Sequence, residues 1–167
     1  AAALVVHLGW GLLEADVGYE LLVTGAGADV PRTCYGIPAL PGSARGAFFI
    51  SGPAKFEMGG YRFKSFFDGF GRTNRFELGE GELCFTAAFL NTSYLRHAEK
   101  LGRICNGPTF DGTEPALPPC PLKDPLCFIT GAQKDNNWVN LMPASGAGEG
   151  LLLTDSPLFL RFDYETL

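Results

Sequence analysis

Two histidines, His7 and His97, and five cysteines, Cys34, Cys84, Cys105, Cys120 and Cys127, are the side chains best suited to metal or nucleophilic chemistry. Their spacing does not organise them for it. No two cysteines form a CxxC pair, so neither a zinc knuckle nor a thioredoxin-like redox pair is offered. Five cysteines in 167 residues are too few for a disulfide scaffold, and free thiols in a reducing compartment are the expectation. His97 stands near Glu99 and Lys100 and reads as a solvated surface histidine, whereas His7, inside an apolar run, reads as a core residue. The GxSxG, P-loop, HExxH and GxGxxG contexts are missing.

Two carboxylates are more pointed. Asp68 lies in Phe66-Phe67-Asp68-Gly69-Phe70-Gly71, where it is either a turn residue bonding its own backbone or a carboxylate facing a pocket. Asp155 follows the apolar run Leu151-Leu152-Leu153 and precedes Ser156-Pro157, a position that reads as a turn cap. These residues alone do not name a reaction.

The elements that would position them are strands. The chain has 22 Gly, 12 Pro and 14 Phe, which points to short apolar runs punctuated by turns. At 46% hydrophobic and 19% charged it is globular and long enough for one core, and a net charge of −5 without a basic block argues against nucleic acid. Ala47-Phe48-Phe49-Ile50 reads as a buried strand stopped by Ser51-Gly52-Pro53, and Tyr61-Arg62-Phe63-Lys64 as a half-buried one. A hairpin is predicted over 73–90, with Gly79-Glu80-Gly81 supplying positive-φ positions for its turn.

Residues 91–103 carry Tyr94, Leu95, Ala98 and Leu101 at helical spacing. Residues 107–125 hold six prolines and form an extended excursion. Residues 138–142 and 150–154 predict a second hairpin, and 158–162 a last strand. The expected fold class is all-β, an antiparallel meander at sandwich or propeller spacing. The apolar stretch 1–13 is too short to span a bilayer, which takes about 20 residues, and it carries no functional assignment.

Taken in order, these segments resemble the front portion of the carotenoid cleavage oxygenase family, which includes the retinal-pigment-epithelium retinoid isomerase. The resemblance rests on several stretches. They are Gly36-Ile37-Pro38 with Gly46-Ala47-Phe48, then Gly52-Pro53 through Phe56-Glu57 to Gly59-Gly60, and Phe67-Asp68-Gly69. The hairpin Arg75-Phe76 to Thr92 and Tyr94, Asp135-Asn136-Asn137 with Val139-Asn140, and Thr154-Asp155 with Asp163, Glu165-Thr166-Leu167 complete the series. It covers 36–167 well and 1–35 weakly, dividing the chain into an N-terminal segment, 1–35, and the opening of a propeller, 36–167.

The resemblance implies the first blades of a seven-bladed β-propeller with a short helix and a Pro-rich loop. It further implies a parent protein that is a non-haem Fe(II) dioxygenase cleaving a conjugated double bond of a carotenoid or apocarotenoid with O2. The family's four iron-binding histidines lie beyond the segment matched by 163–167, so no ligand role passes to His7 or His97, and the chain reads as an N-terminal fragment that does not hold the iron itself. The same resemblance places Asp155 where the family has a glutamate that hydrogen-bonds an iron-ligand imidazole. It makes Phe56 and Phe67 candidates for lining the substrate tunnel, and Leu126, Phe128 and Ile129 candidates for peripheral membrane contact. The compartment stays open between cytoplasm and plastid, with membrane association. An alternative from another class is a non-catalytic, propeller-derived carotenoid- or retinoid-binding protein without iron. A third reading is an unrelated small β-domain.

Overall fold

The computed structural model describes residues 27–105, 111–119, 135–144, 148–154 and 158–167. The predicted hairpin is its centre. Strand β5 (Phe70–Leu78) turns back as β6 (Glu82–Phe89) through Gly79-Glu80-Gly81. The Gly79 N–H donates to the Glu82 carbonyl at 2.9 Å, and Gly81 alone of the two glycines takes a positive φ, 80°. Strand β1 (Val30–Gly36) pairs with β6 and β2 (Gly46–Lys55) with β5, giving a four-stranded antiparallel sheet of order β1-β6-β5-β2.

Strand β2 corrects the sequence reading twice. It does not stop at Ser51-Gly52-Pro53 but continues to Lys55, with Pro53 opposite Gly71 and a register shift beyond it. It is also not buried: Phe48 is 59% and Ile50 47% exposed. Both differences follow from its place at the sheet edge, where a proline's missing N–H leaves no neighbouring strand unpaired.

Two three-stranded sheets complete the β structure of the described residues. β3 (Glu57–Met58), β4 (Tyr61–Phe63) and β7 (Thr113–Glu114) form a small sheet of order β3-β4-β7. β8 (Asn140–Pro143), β9 (Glu149–Leu153) and β10 (Leu160–Asp163) form the other, of order β10-β9-β8. This last sheet packs on one face of the large sheet. The Phe49 ring lies 6.0 Å from Phe162 and 5.1 Å from Tyr164, and an Arg75 guanidinium N–H donates to the Glu165 carbonyl at 2.8 Å. Gly150 sits under Phe162 and Tyr164, whose rings would meet any Cβ there.

Helix α1 (Ser93–Leu101) is the predicted helical turn. The Thr92 hydroxyl accepts from Leu95 N–H, and Gly102 closes the helix in the left-handed conformation at φ 67°. Tyr94, Leu95 and Ala98 are buried with Phe63, Phe70, Ile104 and Cys105, while Leu101 stays 45% exposed. His97 is half-buried rather than solvated, and its Nε2 is buried without a hydrogen-bond partner among the described residues.

The expectation of free thiols is overturned for one pair. Cys34 and Cys84 face each other directly across β1 and β6 and are joined by a disulfide. Fifty residues separate them in sequence, and only the closing of β1 onto the hairpin reveals the pairing. Cys105 is a free, buried thiol that burial pushes up to about 11. Cys120 and Cys127 lie outside the described residues, as does His7.

Candidate functional site

Where β4 leads back toward the large sheet, Phe66–Asp68 forms a single tight turn whose cap is Ser65; the hydroxyl accepts from Phe67 N–H at 3.2 Å. This turn splits the two adjacent phenylalanines. Phe66 goes inward and stacks on Phe56 at 5.7 Å, while Phe67 points out and is 59% exposed. Phe56 is fully buried, and Gly69 is required beside it, because a Cβ there would stand 2.5 Å from the Phe56 ring. Asp68 is buried at the turn's end. Its charge, together with burial as the largest cause and the neighbouring Cys105, holds the Tyr94 phenol well above the ordinary tyrosine range.

A second segment meets this turn. The Trp138 indole lies nearly parallel to Phe67, with centroids 6.2 Å apart and planes at 14°, and stands edge-on to Phe66 at 6.4 Å. Phe66, Phe67 and Trp138 therefore form an aromatic ledge with an outward flat face and the Phe56 ring beneath it.

The three residues before Trp138 anchor the ledge. Asp135 accepts from Ser93 N–H (2.5 Å), Ser93 hydroxyl (2.6 Å) and Tyr94 N–H (3.2 Å) at the N-terminus of α1. Asn136 stands in for a strand: its amide donates to the Gly69 carbonyl at 2.9 Å and accepts from Gly71 N–H at 3.0 Å. Asn137, fully buried, donates to the Leu158 carbonyl at 2.8 Å. These anchoring roles were not legible in advance; the available signal was a run of three amide and carboxylate side chains directly before a tryptophan.

Of the residues singled out in the sequence, the structure brings Phe56 and Phe67 together through Phe66, one as buried support and the other as exposed face. Asp155 lies outside the described residues, as do Leu126, Phe128 and Ile129. The described residues do not supply an iron site of imidazoles. Among the described residues His97, on α1, is the one histidine, and the one group of three candidate donors is Cys34, Glu82 and Cys84, whose sulfurs are bonded to each other.

The model of the retinal pigment epithelial membrane protein (RPE65) family matches residues 29–167. The chain belongs to this family, the carotenoid cleavage oxygenases. No curated protein matches it. Among solved structures, a lignostilbene dioxygenase from Pseudomonas brassicacearum aligns with a TM-score of 0.57 at 22% identity, covering 85% of this chain and 27% of that one. A cobalt-substituted Synechocystis apocarotenoid oxygenase aligns at 0.42 with 24% identity, over 48% of this chain and 17% of its own. The chain thus spans about a quarter or less of the length of these structures. The likeness to the lignostilbene dioxygenase is one of fold, and the sheets of this carotenoid cleavage oxygenase chain are part of a β-propeller.

Proposed function

We propose that this chain is part of a non-haem Fe(II) dioxygenase that cleaves a conjugated double bond of a carotenoid or apocarotenoid with O2. The observation that carries the reading is the family match over 29–167, and the aromatic ledge is consistent with it. The exposed Phe67 ring, nearly parallel to the half-buried Trp138 indole, offers a flat apolar face to a planar polyene and excludes water from it. The described residues do not fit the iron, so its ligands belong to other parts of the protein. Iron, when bound there, supplies the site at which O2 is activated. This chain's contribution is to position: Phe67 lines the polyene's path over the Phe56 support, and Asp155 hydrogen-bonds an iron-ligand imidazole outside the chain and fixes its orientation. Leu126, Phe128 and Ile129 make peripheral membrane contact.

The test is incubation of the full-length, Fe(II)-loaded protein with a series of carotenoids and apocarotenoids under 18O2. Products are separated by chromatography and weighed by mass spectrometry. Cleavage gives two carbonyl fragments that together hold every substrate carbon and both labelled oxygens. Phe67→Ala is expected to weaken substrate retention at least tenfold without moving the melting temperature, since the side chain is exposed. Retention of pigment with no cleavage and no bound iron would favour the non-catalytic binding protein. Neither retention nor cleavage would overturn both readings.

A further inference from the structure

The Cys34–Cys84 pair is not used by the reading above, and its surroundings are built for more than cross-linking. In the β1–β6 register Cys34 is opposite Cys84, and Glu82, two residues before Cys84, projects from the same face of the sheet. One ligand atom from each of the three lies within 4.8 Å of the others. Beside them is an open hollow of about 290 Å³ lined by Arg32, Ala47, Glu77, Glu82 and Cys84. Its charged groups are sorted. Glu77 is committed to Arg32 at 2.8 Å and Arg75 at 2.7 Å, whereas the Glu82 carboxylate makes no hydrogen bond or ion pair among the described residues.

We propose that reduction of this disulfide opens a binding site for a thiophilic divalent cation of the zinc type, held by the Cys34 and Cys84 thiolates and the Glu82 carboxylate. Tetrahedral zinc, with Zn–S of about 2.3 Å and Zn–O of about 2.0–2.2 Å, sets ligand atoms roughly 3.5–3.8 Å apart; the bonded sulfurs stand closer than that and must separate on reduction, while a Glu82 oxygen already lies within 4.8 Å of both. The hollow leaves room for water as the fourth ligand. Two thiolates and a carboxylate leave a bound dication with one net negative charge, and Arg32, which pairs with Glu77, lines the same hollow.

The steps balance. A dithiol reductant attacks the exposed Cys34 sulfur, the Cys84 sulfur leaves as thiolate, and the reductant's second thiol closes it into its own disulfide. The protein gains two electrons and two protons, and those protons are released when the cation binds both sulfurs. The bond and the metal therefore exclude each other, and the redox state of β1–β6 decides which is present.

The experiment uses cobalt(II) as probe on the protein reduced with a water-soluble phosphine and desalted without oxygen. The reduced protein is expected to take up one cobalt per chain with thiolate-to-cobalt charge-transfer absorption, and zinc is expected to displace it. The oxidised protein is expected to show no such band. Glu82→Gln should weaken binding at least tenfold and Cys84→Ala should abolish the band, while Cys105→Ala should leave it unchanged. Should Cys84→Ala fail to fold, Cys34→Ser at the exposed edge serves instead. No band in the reduced protein, equal uptake by the oxidised protein, or a band that survives loss of Cys34 or Cys84 would overturn the proposal.

Discussion

Replacing Asp135 by alanine tests how the ledge is held. Asp135 is 9% exposed and accepts three hydrogen bonds at the start of α1, two of them from the backbone N–H groups of Ser93 and Tyr94. Thr92 remains the N-cap, but Asp135 satisfies first-turn N–H groups as a cap does; losing that acceptor costs about 1 kcal/mol and losing a carboxylate at the helix N-terminus about 0.3–1 kcal/mol. Removing the charged partner of the Ser93 hydroxyl adds about 1.5 kcal/mol, for a total of roughly 3 kcal/mol. For a chain of this size that lowers the melting temperature by about 6–12 °C. Asp135→Asn keeps one neutral acceptor and should cost about half as much. Urea unfolding followed by tryptophan fluorescence measures both, and Asp135→Ala should also redden the native emission as Trp138 loosens from Phe67. An Asp135→Ala protein within about 0.5 kcal/mol of the parent would refute the anchoring argument; so would an unchanged emission spectrum.

Three further outcomes follow from the cysteines. Reduction of Cys34–Cys84 without added metal should cost about 4 kcal/mol, the chain-entropy value for a closure of 50 residues, read as a drop in the urea midpoint of the reduced protein. Cys105, whose thiol burial raises from 9.0 to about 11, should resist alkylation by iodoacetamide at pH 8 in the native protein and react promptly in denaturant. Because the folded value is the higher, the stability tied to the protonated thiol is complete below pH 9 and is lost as pH rises through 11, which unfolding curves at pH 8 and pH 10.5 would show.

What was legible in the sequence was local. The β5–β6 hairpin and α1 are written in short-range signals, namely alternation around Gly79-Glu80-Gly81 and a 3-4 spacing that ends at Gly102. Exposure of β2 was not legible, because its apolar run is the same whether a strand is central or at an edge; sheet order decides, and sheet order is long-range. The candidate site was half legible for the same reason. Phe56 and Phe67 could be picked out from their motifs. Their division into support and face depends on a turn capped by Ser65, and the partner of Phe67 is Trp138, 71 positions later. Asp135 and Asn136 look like loop residues until α1 and the start of β5 are brought beside them.

The large sheet has two faces, and their contrast predicts how the 167-residue chain behaves by itself. One face carries Phe49 and is covered by Phe162 and Tyr164. The other follows from the register: Phe48 is opposite Phe76, Phe76 opposite Phe85, and Leu83 opposite Tyr35, with Ile50 two residues beyond Phe48. Tyr35 and Phe48 are each 59% exposed on that face and Ile50 47%, although rings 4.9–6.4 Å apart already make it a packed apolar surface. In a propeller, sheets pack face to face in succession, and this face has the composition of one that receives a neighbouring sheet. An exposed apolar face beside the open β2 edge favours self-association. The isolated chain should therefore sediment as oligomers at micromolar concentration, and a Phe48→Lys, Ile50→Lys double variant should shift it toward monomer while leaving the β5–β6 hairpin intact by circular dichroism. A parent chain that sediments as a single monomeric species with a sharp cooperative melt would contradict this, since the face would then need no cover.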